Sequence, residues 1–332
     1  MKRTPIFIFP LFLFSLLLFV RCAKPEVIPN LFVTKVYSAS VPLNAVCFTD
    51  ANHGYVGGND GTILQTFDGG NSWTPVNVGS NVDAQFNCVS FPSKDTGWIS
   101  GYENQSGIIR QSALFSTFDG GLNWQHRGAP SGMIYSYFPT KNVGYHDDGT
   151  TIERTINGGS SWNILGSSPY PDINYTNLFF VNSDTGFVGT GFGESMTRNG
   201  GLSWSGIQMP SGEPSSIDFA DNLHGVAVFY SGNVDRTSDG GMTWENSFYA
   251  PSNDGYPLNC VCMPTTDVAL AGGIDYLFVS VDGGISWKQY YQQDGSSFPG
   301  EISGISFYDS YNGYAVTREG AIYRLKRADE IQ

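Results

Sequence analysis

Charged residues make up only 14% of this 332-residue chain, against roughly 25% in an ordinary globular protein. That shortage excludes coiled coils, charged helical bundles and disordered tails, all of which depend on abundant Lys, Glu and Arg. Basic residues are scarcest: 17 Lys and Arg stand against 30 Asp and Glu, a net charge of −13. A phosphate backbone needs a basic surface, so nucleic acid is excluded as a partner. Histidine occurs four times and cysteine five times, with neither a CxxC nor a metal-ligand spacing, so no metal and no cofactor are expected. No apolar run reaches the ~20 residues of a membrane-spanning helix. Glycine and aromatics are plentiful instead, with 41 Gly and 14% Phe, Trp and Tyr, the composition of short strands joined by tight turns.

The first 21 residues read as a signal peptide rather than as part of the fold. Lys2 and Arg3 are followed by the apolar run Ile6 to Val20, broken by Pro10 and Ser15, too short for a span and typical of an export signal. The stretch Leu18-Phe19-Val20-Arg21-Cys22 resembles a bacterial lipoprotein processing site, which makes Cys22 the candidate for lipidation. An uncleaved anchor or ordinary secretion are the alternatives. Residues 22–30, with Pro25 and Pro29, are then a tether, and 31–332 a single domain. Removing residues 1–21 takes away Lys2, Arg3 and Arg21 but no acid, leaving 14 basic residues against 30 acidic, a net −16. An exported, acidic product suits a neutral or cationic partner. Cys47, Cys88, Cys260 and Cys262 read as small buried hydrophobes, with a disulfide of unknown pairing as the alternative.

One turn motif recurs six times. Its first copy is Thr66-Phe67-Asp68-Gly69-Gly70-Asn71-Ser72-Trp73. The others centre on Asp119 with Trp124, Asn157 with Trp162, Asn199 with Trp204, Asp239 with Trp244 and Asp282 with Trp287. The mean step is about 43 residues, and six of the seven tryptophans occupy this slot. The chemistry suits a tight turn: the Asp or Asn accepts backbone N–H bonds, Gly-Gly supplies positive φ, and Ser or Thr on either side satisfies further groups. Trp then opens an outer strand and covers the sheet, where truncation would cost roughly 3–5 kcal/mol.

A second motif precedes each turn: an apolar strand ending in Phe, a polar turn, then Gly and another apolar strand. Phe48 with Gly54, Phe91 with Gly97, Phe138 with Gly144, Phe180 with Gly186, Phe219 with Gly225 and Phe307 with Gly313 carry it. Met263 followed by Val268-Ala269 is a variant without the Gly. There are thus seven units of four strands, in the first roughly residues 45–48, 55–57, 63–66 and 73–76. Units of this size cannot close a core alone, and radial packing gives an all-β, seven-bladed β-propeller. The last unit stops after Gly320 to Arg324 without an outer strand, whereas residues 31–37 form a strand with no inner strands before it. The N-terminal strand is therefore expected to complete the last blade.

The box pattern resembles the Asp-box, or bacterial neuraminidase repeat, of sialidases and other propellers. The fuller unit, from Gly54-Tyr55-Val56-Gly57 through Gly61-Thr62-Ile63 to Trp73, resembles the photosystem II assembly and stability factor family over about residues 31–325. That resemblance implies seven blades, structural Asp-boxes, an exported or lipid-anchored location, and a non-catalytic role in binding or assembling other proteins.

Arg154, Arg236 and Arg324 share the third-strand position just before the box and form a candidate partner-binding set; blade-surface salt bridges are the alternative. Loops between second and third strands carry Asp60, Glu103, Asp147, Asp148, Glu194, Asp275 and Glu319, an acidic rim suited to a basic peptide, a cation or a sugar, or simply solvated turns. Only the Phe229-Tyr230-Ser231 loop lacks an acid. The longer hairpin from Tyr102 to Phe115 is a candidate contact element. The four histidines read as turn or surface residues. A glycosidase needs a nucleophile and a proton donor within reach, and no such constellation, nor a GxSxG, HExxH or phosphate loop, is recognisable. The leading reading is an exported scaffold that binds protein; the alternative is a carbohydrate-active protein, either glycan-binding or a divergent sialidase-like glycosidase.

Overall fold

Each 43-residue unit folds because its short β-rich runs are separated by turns that only Gly, Asp and Asn satisfy well. The computed structural model describes residues 31–79, 84–105, 109–128, 135–147, 151–167, 178–190, 193–249 and 257–328, and these form seven four-stranded antiparallel sheets. Blade 1 comprises Leu43–Phe48, Gly54–Gly58, Ile63–Thr66 and Thr74–Pro75. Its inner strand begins two residues earlier than expected, and Trp73 precedes the outer strand rather than opening it. In blade 2, Thr96–Gln105 and Ile109–Thr117 pair as far as Gln105 and Ile109, the long hairpin anticipated there. Blade 7 consists of Ile302–Phe307, Asn312–Thr317 and Ala321–Arg327, and Leu31–Ser38 supplies its outer strand, with Leu31 opposite Arg327 and Ser38 opposite Ala321. The ring closes as the sequence implies, through a sheet shared by both ends of the chain.

The second motif is a packing rule. The Phe ending each inner strand lies flat over the Gly six residues later, and a Cβ on Gly54, Gly97, Gly144, Gly186, Gly225 or Gly313 would enter that ring well inside 3 Å. In blades 1 to 5 the other face of the ring stacks on an aromatic from the preceding blade. Phe48 meets Tyr314 at 3.9 Å between centroids, Phe91 meets Tyr55 at 3.9 Å, Phe138 meets Trp98 at 4.0 Å, Phe180 meets Tyr145 at 3.5 Å and Phe219 meets Phe187 at 5.3 Å. The box tryptophan then packs edge-on, as Trp73 does on Phe48 at 83° and Trp244 on Phe219 at 88°. Such pairs add about 0.5–1.5 kcal/mol beyond the area they bury. Blade 6 changes both partners together: Met263 replaces the Phe and Ala269 the Gly, since a thioether leaves room for a methyl group.

Inner strands are sheet edges, whose N–H and C=O groups would be orphaned if nothing met them. Side chains from the preceding blade meet them. Ser306 Oγ accepts the Phe48 N–H at 2.9 Å, Ser90 Oγ that of Phe138 at 3.2 Å and Asp218 Oδ2 that of Met263 at 2.6 Å. The thiols of Cys47 and Cys262 occupy the same position facing Phe91 and Phe307. In return, Ser303 and Ser215 donate to the carbonyls of Leu43 and Leu258. The equivalent residues of blades 3 and 4 are Tyr137 and Phe179, whose rings meet at 5.2 Å. The four described cysteines are free. Burial pushes the Cys47 thiol up to about 11 and that of Cys260 to about 12, and raises Cys88 and Cys262 also, so they remain protonated thiols.

Each box is closed by the hydrogen bonds its residues suggest. In the first, Asp68 Oδ1 accepts the Thr66 hydroxyl at 2.8 Å and the Ser72 N–H at 2.9 Å, Oδ2 accepts the Ser72 hydroxyl at 2.6 Å, and Thr66 Oγ1 accepts the Gly70 N–H at 2.8 Å. Gly69 and Gly70 have φ of +65° and +70°. Asn157 and Asn199 accept with Oδ1 in the same way, while their Nδ2 atoms donate to Ser161 and Ser203. Box tips place large apolar side chains in solvent, among them Phe67, Phe118, Ile156 and Val281 after the first Thr or Ser.

Two predictions arise from this architecture. Deleting residues 31–38 strips the last blade of its outer strand; a loss of several kcal/mol lowers the melting midpoint by roughly 10 °C or more, at about 2–4 °C per kcal/mol, measurable by calorimetry. The second concerns acid. Hydrogen bonds from Ser72 hold Asp68 at about 2, below its usual 3.8, and those from Asn123 lower Asp119. In Asp239 and Asp282, partial burial opposes the shift but is outweighed by bonds from Thr243 and Ser286. A depressed carboxylate contributes stability above its unfolded value and loses it as pH falls through the folded one. Between pH 4 and 2, hydrogen exchange should therefore open the boxes of blades 1, 2, 5 and 6 before the Asn boxes of blades 3 and 4.

Candidate functional site

The strands' alternating direction sorts the connections onto two rims. Boxes and the turns between first and second strands share one, as Gly69 N–H to Asn52 O and Gly240 N–H to Leu223 O illustrate. Loops between second and third strands share the other with the blade-to-blade connectors, as in Asn59 N–H to Pro42 O and Asp275 N–H to Gly300 O. On this second rim, blades 4 to 7 enclose a cavity of about 320 Å³ at the mouth of the central channel. Leu178, Phe179 and Ile217 form its apolar wall, Tyr230 its outer lip, and Asn259, Glu301 and Arg318 its polar side. Tyr230 is 64% exposed.

The polar side is held in place by its own network. Arg318 Nη1 donates to Asn44 Oδ1 at 3.0 Å, and its Nε lies 3.8 Å from Glu301 Oε1, which also accepts from Asn259 Nδ2 at 3.2 Å. Glu319 Oε2 accepts the Glu301 N–H at 3.0 Å, and Asp275 Oδ1 the Gly300 N–H at 2.9 Å. The arrangement offers a guanidinium beside an apolar wall and an aromatic lip, suited to an extended peptide carrying an acidic or terminal carboxylate. Among the described residues no group of three His, Cys, Asp or Glu could hold a metal ion.

The expected site residues fall in several places. Asp60, Asp275 and Glu319 are exposed on the cavity rim, the first two with positive φ of 53° and 61°. Glu103 is half-buried in the long hairpin, opposite Gln111. Asp147 and Glu194 are buried at 0% and 3% exposure rather than displayed in loops. His146, expected at a turn or on the surface, is also fully buried, edge-on to Trp162 at 5.7 Å. His53 and His224 do sit in turns, each beside the Asp three residues earlier. Asp148 and Cys22 lie outside the described residues, as do the signal peptide and the tether.

The three arginines are not brought together. Arg324 clamps blade 7 to blade 1, with Nε donating to Tyr314 Oη at 2.9 Å and Nη2 to Gly69 O at 2.8 Å and Asn71 Oδ1 at 2.9 Å. Arg154 lies over the Tyr145 ring at 5.8 Å, against the box turn of blade 4 at Gly200. Arg236 pairs with Glu245 within blade 5. Arg318 and Tyr230 escaped the sequence reading, although Arg318 adjoins Glu319 and the Tyr230 loop was the one without an acid.

Asp218 lines the channel one step from the inner-strand Phe219, and burial raises its carboxyl from 3.8 to about 6, against hydrogen bonds from Met263 and Phe219 N–H. The folded state thus binds this proton more tightly than the unfolded chain, so its contribution to stability declines as pH rises from about 4 to 6. Asp218→Asn should remove that slope, read from denaturant midpoints across pH 4–8; the carboxylate accepts N–H bonds on both oxygens and a carboxamide on only one, so the variant also gives up one of the two.

A sequence profile of the family described as photosynthesis system II assembly factor YCF48 matches residues 33–126 and 196–330. The photosystem II assembly protein Ycf48 of Thermosynechococcus vestitus is 25% identical over 93% of this chain and 90% of its own. The photosystem II assembly lipoprotein Ycf48 of Trichormus variabilis is 35% identical over a shorter stretch, 24% of each chain. A solved structure described as YCF48 bound to D1 peptide superposes with a TM-score of 0.71 at 21% identity, over 92% of this chain and 99% of its own. With seven blades, six boxes and a profile match over most of its length, the chain belongs to the photosynthesis system II assembly factor YCF48 family.

Proposed function

We propose that this protein is an exported, non-catalytic scaffold at the cell envelope that holds a segment of another protein at the channel mouth. The observation that carries this reading is the cavity itself. Its size suits one or two side chains, its wall is apolar, and Arg318 presents a guanidinium at its edge beside Tyr230. Aromatic and arginine side chains are the usual anchors of protein interfaces. Family membership adds support, since a relative of known structure is described as bound to D1 peptide and another relative is named a lipoprotein. The exposed acids Asp60, Asp275 and Glu319 extend the same rim, so a segment with basic residues flanking its anchor fits best. Glycine-rich hairpins build the site, and its polar groups serve as hydrogen-bond partners rather than as an acid and nucleophile pair.

Affinity capture with the full chain from envelope fractions of its source organism tests this. One stoichiometric protein partner is expected. Tyr230→Ala and Arg318→Ala should each weaken its binding by about tenfold or more without shifting the melting midpoint, while Arg154→Glu should leave binding intact. Turnover of fluorogenic glycosides, or partner binding indifferent to both cavity substitutions, would overturn the proposal.

A further inference from the structure

The rim opposite the cavity carries an unusual load of exposed apolar side chains. Ten of the fifteen large hydrophobic residues that are exposed among the described residues lie on the box rim. Four of them, Leu122, Leu202, Met242 and Ile285, follow the paired glycines of their boxes and are 71%, 68%, 58% and 55% exposed. The boxes occupy equivalent positions in their blades, and the exposed second residues Phe67 and Ile156 supply the two boxes whose residue after the glycines is polar, so each of the six boxes carries at least one apolar tip on the same face. Scattered surface hydrophobes need no explanation, but a repeated ring on one face marks a contact surface.

The chain's own path indicates what covers it. Leu31 pairs with Arg327, and the Arg327 N–H donates to Tyr311 O in the first turn of blade 7, which places the start of the propeller on the box rim. Only the eight residues 23–30 separate Leu31 from Cys22, and the nine Cα-to-Cα steps between them span at most about 30 Å when fully extended. Whether the lipid sits on Cys22 or the run Ile6 to Val20 is retained, such an anchor joins the propeller at Leu31, on the rim that carries the apolar tips.

From these two placements we infer that the box rim lies against the surface of a phospholipid bilayer, its apolar tips seated among the headgroups and the cavity turned away. The inference rests on the anchored reading of the N-terminus and extends it to a defined face. The surface is a zwitterionic one: a mature net charge of −16 gives no attraction to anionic lipid. The rim mixes exposed Lys94, Lys141 and Arg198 with the exposed acids Asp95, Asp184 and Asp267 of the adjoining turns. The box carboxylates do not oppose contact, because each oxygen of Asp68, for example, already accepts a bond from its own turn. Interfacial contact of this kind depends on apolar side chains entering the headgroup region, and it leaves Tyr230, Arg318 and Asp60 facing the aqueous side, where a partner can reach them.

The test uses full-length protein processed in a bacterial host and reconstituted on phosphatidylcholine vesicles whose lipids carry a nitroxide near the headgroup. A fluorophore is attached at Leu202→Cys on the box rim or at Tyr230→Cys on the opposite one, with the labelled wild type as a blank for the native thiols. The protein should float with the vesicles, and quenching at 202 should exceed that at 230 by about threefold or more, as expected for a probe in the headgroup layer, unchanged in 0.5 M salt on the order of magnitude used to screen charges. With Leu122→Ser, Met242→Ser and Ile285→Ser added, flotation should persist through the anchor while quenching at 202 falls to the level at 230. Circular dichroism melts of each variant establish that the propeller is intact. Failure to float removes both the anchor and the proposed face. Flotation with equal quenching at the two positions, or with stronger quenching at 230, keeps the anchor and overturns the proposed face. Neither result touches partner capture by the cavity, which is measured without vesicles.

Discussion

The structure depends on one repeated contact: a phenylalanine ring held between a glycine of its own sheet and an aromatic ring of the sheet before it. The glycine is needed because no Cβ fits under the ring. The stacking distance sets how closely two blades approach, and the box tryptophan closes the third side. Everything else in the repeat serves to deliver these groups. The Asp-box fixes the turn that positions Trp, and the short inner strand brings Phe to the channel end of the seam. Five of the seven seams carry this stacked pair; at the two that flank blade 6, Met263 stands in place of the phenylalanine and Leu270 in place of the aromatic. Replacement of both partners in blade 6, Phe by Met263 and Gly by Ala269, shows the constraint from the other side. A bulkier neighbour was tolerable only once the rigid ring had gone.

That constraint explains what could be read in the sequence. Blade number and the hydrogen bonds of the box were legible because each is set by residues close in sequence and repeated six or seven times, and closure by the strand read over residues 31–37 was legible because the last unit lacks an outer strand and this strand lacks inner ones. The cavity was not. Its wall and polar edge come from Phe179, Ile217, Asn259 and Arg318, one from each of four blades, and only the ring geometry brings them together. Arg154, Arg236 and Arg324 illustrate the opposite failure. They share a register and so look like a set, yet the third strand of each blade reaches toward a different seam, and Arg324 is occupied in joining the two ends of the ring. Asp147 and Glu194 were placed in loops by counting from the repeat. The structure buries them at strand ends, a difference of one or two residues that periodicity cannot resolve.

Division of labour between the rims follows from the same repeat. One rim is made of boxes, all alike, so any property of the box is multiplied around the face. An apolar residue beside the glycine pair is trivial once and a surface when repeated. The other rim is made of loops and connectors that differ from blade to blade, and its variety permits one asymmetric cavity with a guanidinium, a carboxylate and a tyrosine at defined places. Regularity suits contact with a featureless sheet of lipid, and irregularity suits recognition of one protein segment.

The inner-edge hydrogen bonds are distributed unevenly around the channel. Ser306, Ser90 and Asp218 each tie their blade to the next by accepting a backbone N–H, whereas Tyr137 and Phe179 face their neighbours with rings. Along its inner edge the hoop is therefore hydrogen-bonded at some seams and held by ring packing across blades 3, 4 and 5, where the polar ties, Tyr145 Oη to Ser183 O and Asn182 Nδ2 to Asn222 Oδ1, lie on the box rim instead. Apolar adhesion fades on cooling far more than a polar tie does. Chilling should thus slacken the ring on one side first, and that side borders the apolar wall where a guest segment would rest.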